Sequence, residues 1–228
     1  MGKIYFKSKS AEDWKAHLAD PGKQWKAGYS AKTLARCWDA ADGLPPEIAA
    51  AIRSHEDIRA TSPELLIGLP EWKVPLDGGR RDSQNDVFAL VRCGDSVMAL
   101  MIEGKVDEAF GPTLGEWLVD ASDGKRVRLA QICQLLALPA EPPAQIRYQL
   151  LHRAASAVIE ARRFGTPAAA MIVHSFSATR RWFEDFVAFA ALFGIKPEPD
   201  ALLRADAAAA PSLYFGWASG DPRFLKDD

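Results

Sequence analysis

The sequence predicts an α/β protein: a mixed central sheet flanked by helices, with a helical extension at its N-terminal end. Three observations carry that expectation. Two apolar runs, 87–91 and 97–102, flank Gly94-Asp95, the strongest short-range signal for a two-residue β-hairpin. A long stretch, 144–163, places apolar residues at helical period. Behind it the short apolar run 168–173 reads as a buried strand. An antiparallel hairpin joined through a helical crossover to another strand makes a mixed sheet.

Composition bounds the function classes. The chain has 228 residues, enough for one substantial core. Its 28 basic and 30 acidic residues leave a net charge of -2, which argues against tight non-specific nucleic-acid binding, although a basic face can coexist with that total. No apolar run reaches the roughly 18 residues of a membrane span, and MGKIYFKSKS lacks the apolar core of a signal peptide. Cys37, Cys93 and Cys133 are far apart and form no C-x-x-C, which fits a reducing cytoplasm without disulfides or a structural zinc.

Taken in order, residues 1–60 read as helices packed on a core formed by residues 61–228. Ser10 heads a first helix carrying Trp14 and Leu18, which Pro21-Gly22 ends. A second, 30–41, spaces Leu34, Cys37 and Trp38 on one face; Pro45-Pro46 opens a third, 47–53. Three short helices in a row can read DNA, but a packing layer or lid is the commoner use. Runs 65–69 and 72–76 form a first strand, with Pro75 at its edge or end. The loop 77–82 carries Arg80 and Arg81 just before the hairpin. They either reach a backbone phosphate or face solvent.

The hairpin sets a register. With Gly94-Asp95 as the turn, Cys93 faces Ser96 and Asp86 falls opposite Glu103 on the same face of the sheet. Opposed carboxylates with Cβ atoms roughly 5 Å apart repel unless something positive sits between them. Lys105 points to that face too, because strand side chains alternate. The plain alternative is a solvated strand end with an ion pair worth less than roughly 1 kcal/mol.

Asp86…Glu103-Gly104-Lys105 resembles the PD-(D/E)XK nuclease superfamily, the restriction-endonuclease-like fold. The resemblance implies an α-β-β-β-α-β core and a Mg-dependent nuclease, with Mn as a substitute. Asp86 and Glu103 would hold the metal, and Lys105 would position or activate the attacking water. It implies nucleic acid as partner, DNA first, in a bacterial defence or repair setting, with a homodimer allowed. Asn85 stands where the motif's proline would be, a variable position. The alternative within the same resemblance is an inactive nuclease-like fold that binds nucleic acid or protein.

Downstream, 113–137 reads as two helices separated by Ser122-Asp123-Gly124, with Lys125, Arg126 and Arg128 clustered at the second. In the helix 144–163, Ile146, Leu150, Ala154, Ala157, Val158 and Ala161 form the apolar stripe, with Gln145, Gln149, His152 and Ser156 beside it. The resemblance implies substrate contact for Gln149, with Tyr148 and His152 as neighbours; a solvated flank is the alternative. His174, at the end of 168–173, reads as a hydrogen-bonded structural residue more readily than a catalytic one. The aromatic stripe of 180–193 is core packing, 197–211 is weakly structured, and 212–217 is a last strand. The absence of G-x-S-x-G and H-E-x-x-H argues against an unrelated hydrolase.

Overall fold

The structure, a computed structural model, describes residues 10–56, 62–79, 81–206 and 211–226. Six strands lie among them: β1 (Glu64–Val74), β2 (Ser83–Cys93), β3 (Ser96–Lys105), β4 (Ala168–Ser175), β5 (Ala201–Arg204) and β6 (Ser212–Ser219). They form a mixed open sheet in the order β1-β2-β3-β4-β6-β5. β1, β2 and β3 are an antiparallel meander, β4 runs parallel to both β3 and β6, and β5 closes the far edge antiparallel.

The hairpin turns at Gly94, whose φ of 62° is the left-handed value such a turn needs. Pairing runs from Cys93↔Ser96 to Val87↔Ile102. One step further the ladder changes character: the Gly104 N–H donates to Asp86 Oδ2 at 2.7 Å, so a side chain takes the place of the next backbone acceptor. β3 and β4 are the central strands and are covered on both faces, as an unbroken apolar run requires.

The helices are α1 (Pro21–Gln24), α2 (Ser30–Ala40), α3 (Pro46–Arg53), α4 (Leu114–Leu118), α5 (Asp123–Leu136), α6 (Tyr148–Phe164) and α7 (Phe183–Ala191). On one face, α5, α6 and α7 pack Ile132, Leu150, Phe186 and Phe189 against Phe88, Met101 and Phe215 of the strands. On the other, Trp14, Leu34, Trp38, Ile48 and Ile52 of the N-terminal segments pack against Val87, Leu100, Ile102 and Ile172. Each strand therefore feeds two cores by alternation, and each fully buried aliphatic side chain contributes about 1.5–3 kcal/mol of transfer free energy.

Four expectations are corrected. The first helix is a 3₁₀ segment, Ala11–His17, and not an α-helix. Ser122 caps α5, and Asp123-Gly124 are its first turn instead of a loop. Here glycine is required: a Cβ on Gly78 would lie 2.1 Å from the Gly124 carbonyl oxygen. The helix expected from 144 begins at Tyr148, because the Ala144 and Ile146 carbonyls accept from Gly115 and Leu114 and the Tyr148 N–H donates to Pro112. The segment 197–211 contains β5, a four-residue strand too short for its composition to announce.

No helix among the described residues is long and apolar enough to cross a membrane. The three cysteines are free.

Candidate active site

At the end where β3 stops and β2 starts, three carboxylates from three adjacent strands meet. Glu103 is almost completely buried, and both its oxygens are held. Lys105 Nζ donates to Oε1 at 2.5 Å and Gln149 Nε2 donates to the same oxygen at 2.8 Å. Arg153 Nε donates to Oε2 at 2.5 Å. Lys105 also donates to Gln149 Oε1 at 3.3 Å and lies 5.0 Å from the centre of the Phe110 ring. Gln149 and Arg153 reach the same carboxylate because they stand one turn apart on α6.

Asp86 is less well matched. Beyond the Gly104 N–H, its nearest charged partner is Arg153 Nη2, 3.9 Å from Oδ1. The third acid is Glu71, opposite Asp86 by the register of β1 and β2, which accepts from Gln84 Nε2 at 2.7 Å. Glu71 has φ 52° inside a strand. That left-handed residue resets the alternation: Leu69 and Trp72, an odd number of residues apart, pack into the same core. Re-aiming a side chain is what such irregularities do beside functional sites.

The electrostatics divide the three acids. Burial works against ionisation of Glu103, but Arg153 and Lys105 outweigh it and hold the carboxyl below its usual range. Burial, and then the charge of Glu103, push Asp86 up; burial, and then the charge of Asp86, push Glu71 up. Three carboxylates face two cations, and the two without close cationic partners resist ionising. Together with Lys23, Tyr29 and Ser30 of the N-terminal segments, these groups line a cleft of about 500 Å³.

The structure thus brings Asp86, Glu103, Lys105 and Gln149 into one cleft. It does not bring Tyr148, His152 or Arg81 there. Tyr148 and His152 share the neighbouring stripe of α6: Tyr148 stacks on Trp117 with ring centroids 3.9 Å apart. His152 Nδ1 sits 2.8 Å from Ser83 Oγ. Burial and then the Arg153 charge keep that imidazole neutral. Arg81 lines a separate pocket with Lys125 and Arg128, where Arg128 binds the carbonyls of Leu76, Asp77 and Arg81. Arg80 lies outside the described residues.

Sequence reasoning missed Glu71 and Arg153. Arg153 carried a signal: it lies four residues after Gln149, and helical period places it between Leu150 and Ala157 on the apolar stripe of α6. For Glu71 the only trace is the broken alternation between Leu69 and Trp72.

A second buried polar group joins α2, α3 and β4. Cys37 Sγ, Glu47 Oε1 and His174 Nε2 converge, with Cys37 3.3 Å and His174 2.9 Å from the same Glu47 oxygen. These three ligand-type atoms lie within 4.8 Å of one another, close enough for a metal ion. The tautomer opposes that use. Trp38 Nε1 donates to His174 Nδ1 at 3.4 Å, so the neutral ring carries its proton on Nε2 and gives it to Glu47. A metal-bound Nε2 would put the proton on Nδ1, facing a donor that cannot accept it. Burial, with the Glu47 charge, raises the Cys37 thiol. Burial works against ionisation of Glu47, but the hydrogen bonds from His174, the backbone and the Cys37 thiol together outweigh it and lower the carboxyl to about 2. The group is a hydrogen-bonded pin between the N-terminal layer and the sheet.

A protein-family model described as "Domain of unknown function (DUF6946)" matches residues 7–222. No curated protein and no solved structure matches the chain.

Proposed function

We propose that this chain, which belongs to the DUF6946 family, is a divalent-metal-dependent phosphodiesterase acting on nucleic acid. The observation that carries the reading is the meeting of Glu71, Asp86 and Glu103 with Lys105 in one cleft, where one buried and two half-buried carboxylates have two cationic partners, Lys105 and Arg153. The strand meander, the crossover helix α6 and the parallel β4 support it, because they follow the α-β-β-β-α-β order of the PD-(D/E)XK nucleases.

The donor set fits Mg²⁺ or Mn²⁺. All candidate ligands are oxygens, as a hard cation prefers, and the excess negative charge lies on Asp86 and Glu71, whose ionisation a cation would favour. Asp86 and Glu103 would hold the ion, with Glu71 as an additional acid. When bound, such an ion lowers the pKa of its water and stabilises charge on the phosphoryl and leaving oxygens. Lys105, fixed by Glu103, Gln149 and the Phe110 ring, is set to orient a water or neutralise a phosphoryl oxygen. Gln149 fixes the amine and the carboxylate at once.

Arg153 favours a second reading, a nuclease-like fold that binds nucleic acid or protein without cutting it. Its guanidinium holds Glu103 Oε2 and reaches toward Asp86, so a cation must share or displace it. Incubation with plasmid, single-stranded DNA and RNA in Mn²⁺, beside Lys105→Ala, tests the first reading. Degradation by the wild type and a loss of at least about 100-fold in the variant is expected. Equal degradation by both, or none by either, rejects it.

A further inference from the structure

We infer that the cleft admits a single-stranded nucleic acid, with one unstacked base lying against Tyr29, and not a continuous duplex. The inference rests on the phosphodiesterase reading for the chemistry, and the depth of the cleft and the placement of Tyr29 supply its geometry.

Depth is the first consideration. The side chains of Lys105 and Glu103 are only 5% and 2% exposed, so a phosphate has to enter the cleft to meet the amine. Gln149 and Arg153 wall it on the α6 side; Lys23, Tyr29 and Ser30 wall it on the N-terminal side. At about 500 Å³ the space is that of a small-molecule site. A phosphodiester in a duplex is carried on a stiff rod, and bringing it to a buried group means bending or unstacking that rod. A single strand bends and turns out its bases at far smaller cost.

The second consideration is how Tyr29 is held. It is the residue before α2 and supplies no side-chain cap. The first N–H of that helix, on Ser30, instead donates to Glu108 Oε1 at 2.8 Å, and the Val106 N–H donates to Glu108 Oε2 at 3.0 Å. Glu108 lies three residues beyond Lys105, so the segment leaving the proposed amine also anchors the helix that presents the ring. Tyr29 is 44% exposed, with Lys26 Nζ 5.7 Å from its ring centre. An exposed ring beside ammonium groups is the arrangement on which successive bases stack. Lys23, paired with Asp20 at the surface, adds a cation to the same rim.

Fluorescence anisotropy of a labelled single strand and of its duplex, each with Ca²⁺, tests the inference without requiring cleavage. The single strand should bind at least about tenfold tighter than the duplex. Tyr29→Ala should weaken it about tenfold, while Tyr29→Trp retains it. Duplex binding as tight as single-strand binding, absence of binding to either, or an unchanged Tyr29→Ala overturns it. Because Tyr29 is exposed, these variants should keep the wild-type melting temperature. Tyr29-dependent single-strand binding without Mn²⁺ cleavage would remove the phosphodiesterase reading alone. Duplex cleavage unaffected by Tyr29→Ala would remove this inference alone.

Discussion

The pin at Cys37, Glu47 and His174 and the cleft at Glu71, Asp86 and Glu103 are built from similar materials with opposite outcomes. In the pin, one carboxylate accepts from a thiol and a neutral imidazole, and the imidazole's other nitrogen accepts from Trp38. Every group has a complement, and the Glu47 carboxyl is held low. In the cleft only Glu103 is so satisfied; Asp86 and Glu71 are pushed up by burial and by their neighbours' charge. Completed polar networks stabilise, whereas incomplete ones are kept at a cost and cluster at functional sites. Under the proposed function, the contrast gives the pin a structural role and the cleft a binding one.

Glu103→Gln should do the most damage. Arg153 and Lys105 would then be buried without their shared anion, and urea unfolding should show a loss of about 3–5 kcal/mol. A loss below about 1 kcal/mol would mean that water already screens the pair.

Next comes the pin. Glu47→Gln should cost about 1–3 kcal/mol at pH 7. The Glu47 pKa is depressed in the folded state, so its contribution is present above about 4.5 and fades as pH falls toward about 2. His174 is depressed as well, by burial, and its contribution fades as pH falls from its ordinary value near 6.5. The deficit of Glu47→Gln should shrink on acidification below pH 4.5; a constant deficit would contradict an ionised Glu47.

Asp86 should behave with the reverse sign. Its folded pKa is raised from 3.8 to about 7, so stability falls as pH rises through that interval. With EDTA present, Asp86→Asn should be more stable than wild type by about 1–2 kcal/mol at pH 8 and match it near pH 4. Equal stability at pH 8 would show that the site is already neutralised. Smallest of all, Arg81→Ala should change stability by less than about 0.5 kcal/mol and leave the proposed nuclease activity intact, since Arg81 lies in another pocket. A large loss of activity would join the two pockets into one surface.

These elements differ in how far the sequence announces them. Gly94-Asp95 fixes a turn, the turn fixes a register, and the register brings β2 and β3 into line, so Asp86 and Glu103 are neighbours by local rules alone. Gln149 follows from helical period once α6 is placed. Glu71 does not follow, because alternation is legible only while φ stays in the β region, and its left-handed backbone reverses the phase. Arg153 is hidden for another reason: an arginine in an apolar stripe reads as an interruption until the buried acids it serves are located on other elements. Tyr148 and His152 show the converse: within α6 a rotation of about 100° per residue turns them about 100° and 60° away from Gln149, which takes them out of the cleft.

Titration calorimetry of Mn²⁺ into the wild type, Asp86→Asn and Glu47→Gln tests the assignment of binding to the cleft and not to the pin. A saturable heat is expected in the wild type, the same heat in Glu47→Gln, and none in Asp86→Asn. An unchanged heat in Asp86→Asn, or its loss only in Glu47→Gln, would contradict it.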